Sequence, residues 1–541
     1  MFLRDRHDRR APFQTTGFTP AARLFFSLTH LVHKTILSST ILLTQSRKQR
    51  KENRTKEYDS VRRYLFALLL ASLSACAPGA SERGQLRSLS SLSTERSLAG
   101  NEDIWPGDGW WADYGDPQLT QLIEEAKTGS PDMMAAMARL RRADAFAREA
   151  GAALLPEFSV TADGNFKKQS YNNGIPPAFV PHGWNDTGQI SASGSFDPDL
   201  WGRNRAALAA ATSQARAAAV DRDQALLLLS SGIATAYADI ARLFAERDIA
   251  DRAVKVREET FDLTGKRVIE GLDNRGTLQL AESKAASARA ERAALDEAIA
   301  LSRNRIAALV GAGPDRGLAI TRPDIKGLAP HGLPRDIALN LLGRRPDILS
   351  ARLRTEAAAA TIGSARAAFY PNINITALFG IQSLGLSNLV DSGSTFGSVG
   401  PALSLPLFNR GRLVGQLRRS EADFDLAVAD YDTTLIAALR EVADAAASIR
   451  ALEQRRHDID AALSAAEGAY DIARQRYRGG LATYLDVLAS EDSLLAARRD
   501  AADIRARAFT LDIALVRALG GGFIASSSSR ASVASQGDHH G

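Results

Sequence analysis

The chain has 541 residues, 45% of them hydrophobic and 24% charged, with a single cysteine. That length suffices for several domains, and one cysteine excludes an intrachain disulfide framework. The net charge of +5 does not mark a nucleic-acid binder: residues 1–60 hold 12 Lys and Arg against 5 Asp and Glu, leaving the remainder at −2, and no nucleic-acid motif accompanies it.

Residues 61–75 have the order of a secretory signal: basic Arg62 and Arg63, an apolar stretch from Tyr64 to Ala71, then Leu73-Ser74-Ala75. Leu73-Ser74-Ala75-Cys76 resembles a bacterial lipobox, in which the cysteine is acylated and becomes the new N-terminus. The plainer alternative for Cys76 is a buried free thiol. A lipobox implies a membrane-anchored protein outside the cytoplasm. Segment 1–60 does not belong in front of such a signal. The methionines are Met1, Met133, Met134 and Met137, whereas Val61 is compatible with a GTG start. The expectation is that 1–60 is upstream sequence translated in error. The alternative is a genuine basic extension, whose apolar patch from Ile36 to Leu43 is too short to span a bilayer. From Cys76 onward the net charge is −4.

Beyond Cys76 no window of 18 uninterrupted apolar residues occurs, so no transmembrane helix is expected and any span should be β. Four segments alternate with period two, as half-buried strands do: Glu157–Asp163, Gln189–Phe196, Asn372–Phe379 and Ala402–Phe408. They form two hairpins, with loops at 170–186 and 383–396. Each hairpin precedes a proline-free stretch, Asp199 to Gly313 and Leu407 to the end, rich in strong helix formers. In the first, Leu208, Thr212, Ala215, Ala219, Arg222, Leu226, Leu229, Ile233, Ala236, Ile240 and Leu243 alternate spacings of four and three. That seven-residue repeat predicts coiled-coil packing. A helix from about 206 to 270 is roughly 100 Å long. A solvated structural coiled coil explains the period equally well.

The chain repeats itself. Leu155-Pro156-Glu157-Phe158 corresponds to Tyr370-Pro371-Asn372-Ile373, and Asp199–Arg203 to Pro406–Arg410. Arg267–Leu272 corresponds to Arg476–Leu481, and Ala308–Gly311 to Arg517–Gly520, both at an offset of 209. The unit is hairpin, long helix, Gly-containing turn and returning helix, used twice. Four strands cannot close a barrel, and an open edge is not tolerated in lipid. Several chains must therefore pool their strands, and three copies give the twelve that leave a channel.

Taken together, these motifs make the sequence resemble the TolC-like outer-membrane efflux proteins, in particular the lipoprotein branch that serves RND-type tripartite pumps. The resemblance runs from Cys76 to Phe523. It rests on Trp110-Trp111, Asp116–Leu119, Asp199-Leu200-Trp201-Gly202-Arg203, the signature Arg344-Arg345-Pro346-Asp347-Ile348 and its continuation Ala358–Pro371. Leu405–Arg412 and Ala518–Gly522 complete it. It implies a mixed α and β fold: a trimeric outer-membrane β-barrel with four strands per chain, continued by a long periplasmic α-helical barrel with an internal two-fold repeat. The implied layout is a first repeat at 76–315, with strands at about 156–200 and helices at about 206–311. A connecting equatorial segment follows at 316–345. The second repeat spans 346–523, with strands at about 371–408 and helices at about 410–518, and a Ser-rich disordered tail covers 524–541. The resemblance also implies a homotrimer in outer-membrane lipid, a periplasmic adaptor and an inner-membrane RND-type pump. It places a periplasmic gate at Leu485, Asp486 and Tyr477, with Gly271 and Gly480 setting the helix-tip turns. Ala489 and Thr277 depart from the acidic residues some members carry there. Pro198 departs where members can donate a backbone hydrogen bond, so the strand is expected to end there.

No Gly-x-Ser-x-Gly elbow, phosphate-binding loop or metal-spaced His/Cys cluster is present. The expected function is passive export of drugs or other small molecules, with no cofactor, metal, catalytic residue or nucleic-acid partner. An outer-membrane duct for ABC-type protein secretion and a periplasmic coiled-coil scaffold are the alternatives.

Overall fold

A computed structural model describes residues 84–88, 91–94, 96–98, 105–324, 334, 337–406 and 408–525. The signal, Cys76 and segment 1–60 lie outside the described residues. Among those described, helix dominates. After a short turn at Trp110–Tyr114 come α1 (Pro117–Gly129), α2 (Pro131–Ala152), β1 (Glu157–Lys167) and β2 (Asn185–Phe196). Then follow α3 (Arg203–Ile269), α4 (Arg275–Val310), α5 (Pro314–Leu318), α6 (Ile337–Arg344) and α7 (Pro346–Ala367). The chain closes with β3 (Asn372–Leu384), β4 (Thr395–Ser404), α8 (Arg410–Arg478) and α9 (Tyr484–Ala518).

The repeat is physical: α2-β1-β2-α3-α4 is matched by α7-β3-β4-α8-α9. The strands form one antiparallel sheet in the order β1-β2-β3-β4. The fourth strand corrects the expectation of Ala402–Phe408: it runs Thr395–Ser404 and leaves the sheet before Pro406, which has no N–H to give to a ladder. The two rods, α3 and α8, contain 67 and 69 residues, about 100 Å each at 1.5 Å per residue. The seven-residue stripe on α3 has no exposed member, and Ala215, Leu229, Ile233, Ala236 and Ile240 are buried. Burial on α3 is nonetheless wider than a seam, because Ala217, Ala234, Tyr237 and Ala238 are buried as well. α3 packs against α2, α4, α7 and α9. One 18-residue window of α3 reaches a mean hydropathy of 1.3, but 61% of it is buried inside the protein, as befits a core helix.

β2 ends at Phe196, ahead of Pro198. The turn that follows is anchored by Asp199, held at φ 51. Its carboxylate accepts from the amides of Asn204 (2.9 Å) and Arg205 (2.8 Å) and from Arg205 Nε (3.2 Å), which fills the orphan donors of the first turn of α3. These contacts hold the Asp199 carboxyl below the usual range despite the opposing effect of burial. Trp201 Nε1 donates to the Pro371 carbonyl (2.7 Å), and its ring stacks on Tyr370 at 4.8 Å. The Asp-Leu-Trp-Gly-Arg motif therefore ties the first repeat to the second where sheet becomes helix.

The Arg344-Arg345-Pro346-Asp347 block is a second clasp. Pro346 begins α7, where a missing N–H costs nothing. Arg345 is buried; it grips Asp347 through Nε (3.0 Å) and Nη2 (2.5 Å), and its Nη1 donates to Glu441 and to the Ala518 carbonyl, both at 2.9 Å. Arg344 lies over the Trp105 ring, 4.6 Å from its centroid. Gly520, at φ 98, passes so close to the Arg344 carbonyl that a Cβ would collide with it. Gly311, at φ 84, has the same relation to the Gly129 carbonyl in the first repeat. Gly520→Ala combines a left-handed backbone with a backbone clash. Its expected result is a purified protein with a lowered melting temperature, against an unchanged one for Gly400→Ala, where nothing lies within 4 Å.

The tail expectation needs one correction. The chain remains packed to Ala525, which is buried and donates its amide to the Gly343 carbonyl (3.3 Å), so residues 524 and 525 belong to the folded body. Residues from 526 lie outside the described set.

Candidate functional site

The sheet has two chemically opposite faces. Phe158, Val160, Ala162 and Phe166 of β1 share one face with Ala192 and Ile190 of β2, Ile375, Ala377 and Phe379 of β3, and Val399 and Leu403 of β4. Phe158, Val160, Phe166, Ile375, Phe379, Val399 and Leu403 are exposed there. The other face carries Ser159, Thr161, Asp163, Ser191, Ser193, Gln189 and Gln382, with Leu378, Leu384, Phe396 and Ala402 as exceptions. Hydroxyls pair across its strands, Ser159 with Ser193 at 2.7 Å and Thr161 with Ser191 at 2.9 Å. An apolar face and a mainly polar face on one sheet match what a membrane barrel needs on its lipid and lumen sides.

At the far end, the two helix hairpins turn with the same backbone. α3 closes with Leu272 N donating to Arg267 O (2.8 Å) and Gly271 N to Val268 O (3.1 Å); α8 closes with Leu481 N to Arg476 O (2.8 Å) and Gly480 N to Tyr477 O (3.0 Å). Gly271 at φ 73 and Gly480 at φ 75 provide the left-handed residue that ends such a helix. The return helices are capped by Asn274, which accepts from Thr277 N (3.0 Å), and by Thr483.

Asp486 is the second half of that cap. Its carboxylate accepts from Thr483 N (2.8 Å) and Thr483 Oγ1 (2.7 Å), completing a capping box. The hydroxyl and amide of Thr483 hold the carboxyl below its ordinary range, so it is ionised at neutral pH. Leu485 is 62% exposed at the same turn. Tyr477 is placed differently: it is buried, with the Arg267 guanidinium 5.0 Å from its ring centroid and Tyr484 beside it at 6.2 Å. It packs the tip from inside. Thr277 occupies in the first repeat the place of Asp486 and carries no charge.

A group the sequence did not single out lies just behind the tip. Arg257 of α3 donates through Nε to Glu491 (3.0 Å) and through Nη2 to Asp492 (2.9 Å), both on α9; Lys284 of α4 reaches the other Asp492 oxygen at 3.3 Å. The Arg257 and Glu491 side chains are only 9% and 6% exposed. Burial pushes the Glu491 carboxyl up, while Arg257 pulls it back. Tyr470, Tyr477, Tyr484, Val487 and Leu488 form the apolar packing around it. The cluster joins the first hairpin to the second. Continued past Leu243, the four-three stripe reaches Arg257, so the phase of the repeat held the signal.

Residues 122–312 and 338–521 match the family described as outer membrane efflux protein. The fusaric acid resistance protein FusA of Burkholderia cepacia is 35% identical over 59% of this chain, a match that spans 60% of FusA's own length. The pyoverdine export outer membrane protein OpmQ of Pseudomonas aeruginosa is 29% identical over 79% of this chain and 90% of its own. Among solved structures, the outer membrane protein VceC of Vibrio cholerae superposes with a TM-score of 0.73 and 46% identity, covering 77% of this chain and all of that one. The chain described here belongs to the outer membrane efflux protein family.

Proposed function

We propose that the protein is the outer-membrane channel of a tripartite efflux system, a homotrimer that passively conducts small molecules from the periplasm to the exterior. The observation that carries the reading is one sheet with an apolar and a hydroxyl-lined face, continued by two rods of 67 and 69 residues. β1 and β4 have no further strand partner among the described residues. Lipid does not tolerate such edges, and three copies supply the twelve strands of an open channel. The energy source is then external: a periplasmic adaptor meeting the hairpin tips and an inner-membrane RND-type pump. FusA and OpmQ are named for resistance to fusaric acid and export of pyoverdine, which favours small-molecule cargo over protein secretion. No cofactor or catalytic group is needed. Native mass spectrometry in detergent should give three chains, and the trimer should conduct ions across a planar bilayer. A stable, non-conducting monomer would contradict the reading.

Lipid anchoring at Cys76 is part of the same proposal. The support is the Leu-Ser-Ala-Cys sequence after an apolar stretch; the alanine that follows, Ala77, is compatible with release to the outer membrane. Mass spectrometry of the purified N-terminus should find an acylated Cys76 with residues 1–75 absent. An unmodified thiol inside a longer chain would remove the anchor from the proposal.

A further inference from the structure

We propose that the junction between sheet and rods binds the phosphate headgroup of an anionic phospholipid in the periplasmic leaflet, with Arg203 and Arg412 as its cationic walls. The inference rests on the outer-membrane reading above. All four strands end at this level, and a cavity of about 360 Å³ lies beneath them. Arg203 and Arg412 line it together with Trp201, Tyr370, Ile373 and Leu405. Ile373 pairs with Leu403 on the apolar face of the sheet, and Leu405 follows Leu403 by two residues, so the cavity adjoins the lipid-facing surface.

The charges around this cavity are unequally committed. Asp199 is consumed by the first turn of α3 and by Arg205, whose Nη2 also donates to the Asp199 carbonyl (2.9 Å). Asp197, which also lines the cavity, accepts only from neutral groups, Asp199 N (2.8 Å) and Asn204 Nδ2 (3.4 Å), and so keeps its negative charge there. Arg412 reaches only a neutral partner, Gln416 Oε1 at 3.3 Å. Among the described residues, neither Arg203 nor Arg412 forms an ion pair. α8 opens at Arg410 without a side-chain cap, which adds the positive end of a helix to the same site. Two guanidinium groups against the one Asp197 carboxylate leave the lining net positive, and a phosphodiester supplies the balancing charge and several acceptors for the arginine forks.

The apolar half of the site fits acyl chains. Leu200 is exposed, and Phe408 is 98% exposed. Trp201, fixed by its stack on Tyr370 and its bond to the Pro371 carbonyl, has the amphipathic character of residues that sit at headgroup level. Side chains this apolar next to unpaired guanidinium groups suit a lipid rather than a soluble anion.

The test uses the full-length protein purified as its oligomer. Native mass spectrometry in mixed micelles would compare bound phosphatidylglycerol with phosphatidylcholine, for the unmodified protein and for Arg203→Gln with Arg412→Gln. The expected result is preferential retention of phosphatidylglycerol, falling about 25-fold in the double variant, at about fivefold per basic residue near a lipid surface. The melting temperature and oligomer mass of the variant confirm that it is folded. Equal binding of the two lipids, or a preference that survives the double substitution, overturns the proposal; a neighbouring subunit that covers the cavity gives one or other of these outcomes. Complete displacement of the lipid by glycerol phosphate at equal concentration would show recognition of phosphate alone and would equally overturn it. Conductance of the unmodified trimer tests the channel reading separately.

Discussion

Arg257→Met should loosen the periplasmic tips more than any other single change behind the turns. It strands Glu491, whose side chain is 6% exposed, without its main counter-charge. Breaking one side of a buried pair costs about 3–5 kcal/mol, because the remaining charge is left in a poor dielectric. The loss should appear locally, as faster amide hydrogen exchange in the last turns of α3 and the first turns of α9, since hairpin ends open without global unfolding. Glu491→Gln should behave differently. Burial raises the Glu491 carboxyl in the folded protein, so the fold prefers this group protonated. Its contribution is fully present below the ordinary carboxylate range and is lost as pH rises through the raised folded value. The glutamine variant mimics the protonated form, keeps an oxygen for Arg257 Nε, and leaves Asp492 as counter-charge. Its expected cost is under about 1 kcal/mol. The groups facing Glu491 are Arg257 on α3, Lys284 on α4, Tyr470 on α8, and Asp492 and Tyr484 on α9. The Tyr484 hydroxyl is itself pushed up to about 12 by burial, so it does not titrate in the same range. Equal exchange in the two variants would show that the pair does not hold the hairpins together.

That asymmetry was only half legible in the sequence. Period-two strands, proline-free rods and glycine turns are local signals, each governed by residues a few positions apart, and the structure places β1, β2, β3 and the rods within about five residues of their expected bounds; β4 is the exception, at Thr395–Ser404 instead of Ala402–Phe408. The repeat at an offset of 209 fixed Gly271 against Gly480, and their φ angles of 73° and 75° show that the two turns are the same turn. Contacts between remote segments left no such trace. Arg345 stood out within its block, yet its partners Glu441 and Ala518 lie 96 and 173 residues away. Arg257 and Glu491 are separated by 234 positions, and a charged residue on a coiled-coil stripe reads first as a tolerated defect. Tyr477 could be placed in the tip by motif, but its burial under Arg267 depends on three-dimensional packing. Asp486 was legible as a charge; that Thr483 holds it in a cap follows only from the Thr-x-x-Asp spacing read together with the preceding glycine turn.

Conductance should rise and cation preference fall in the trimer carrying Leu485→Ser with Asp486→Ala. Leu485 is an exposed apolar residue at the start of α9, and three copies around one axis would form a ring that obstructs water and ions. Three Asp486 carboxylates beside it would attract cations and resist anions. The carboxyl is held low by Thr483, so its folded value lies below its unfolded one. The associated stability is present above the ordinary carboxylate range and is lost only as pH falls through the folded value. Cation preference of the unmodified channel should therefore be constant between pH 7 and about pH 5. The capping box complicates the double variant, because removing Asp486 also removes an acceptor from the first turn of α9. Thr483→Ala separates the two effects. It takes away the other half of the box, at about 1 kcal/mol for a lost cap, while the Asp486 charge remains. If charge sets selectivity, Thr483→Ala keeps its cation preference and the double variant loses it. If the cap alone shapes the tip, both variants change together. A correctly trimeric double variant with unaltered conductance and selectivity would put the constriction somewhere other than Leu485 and Asp486, and the assignment of the gate to this turn would be wrong.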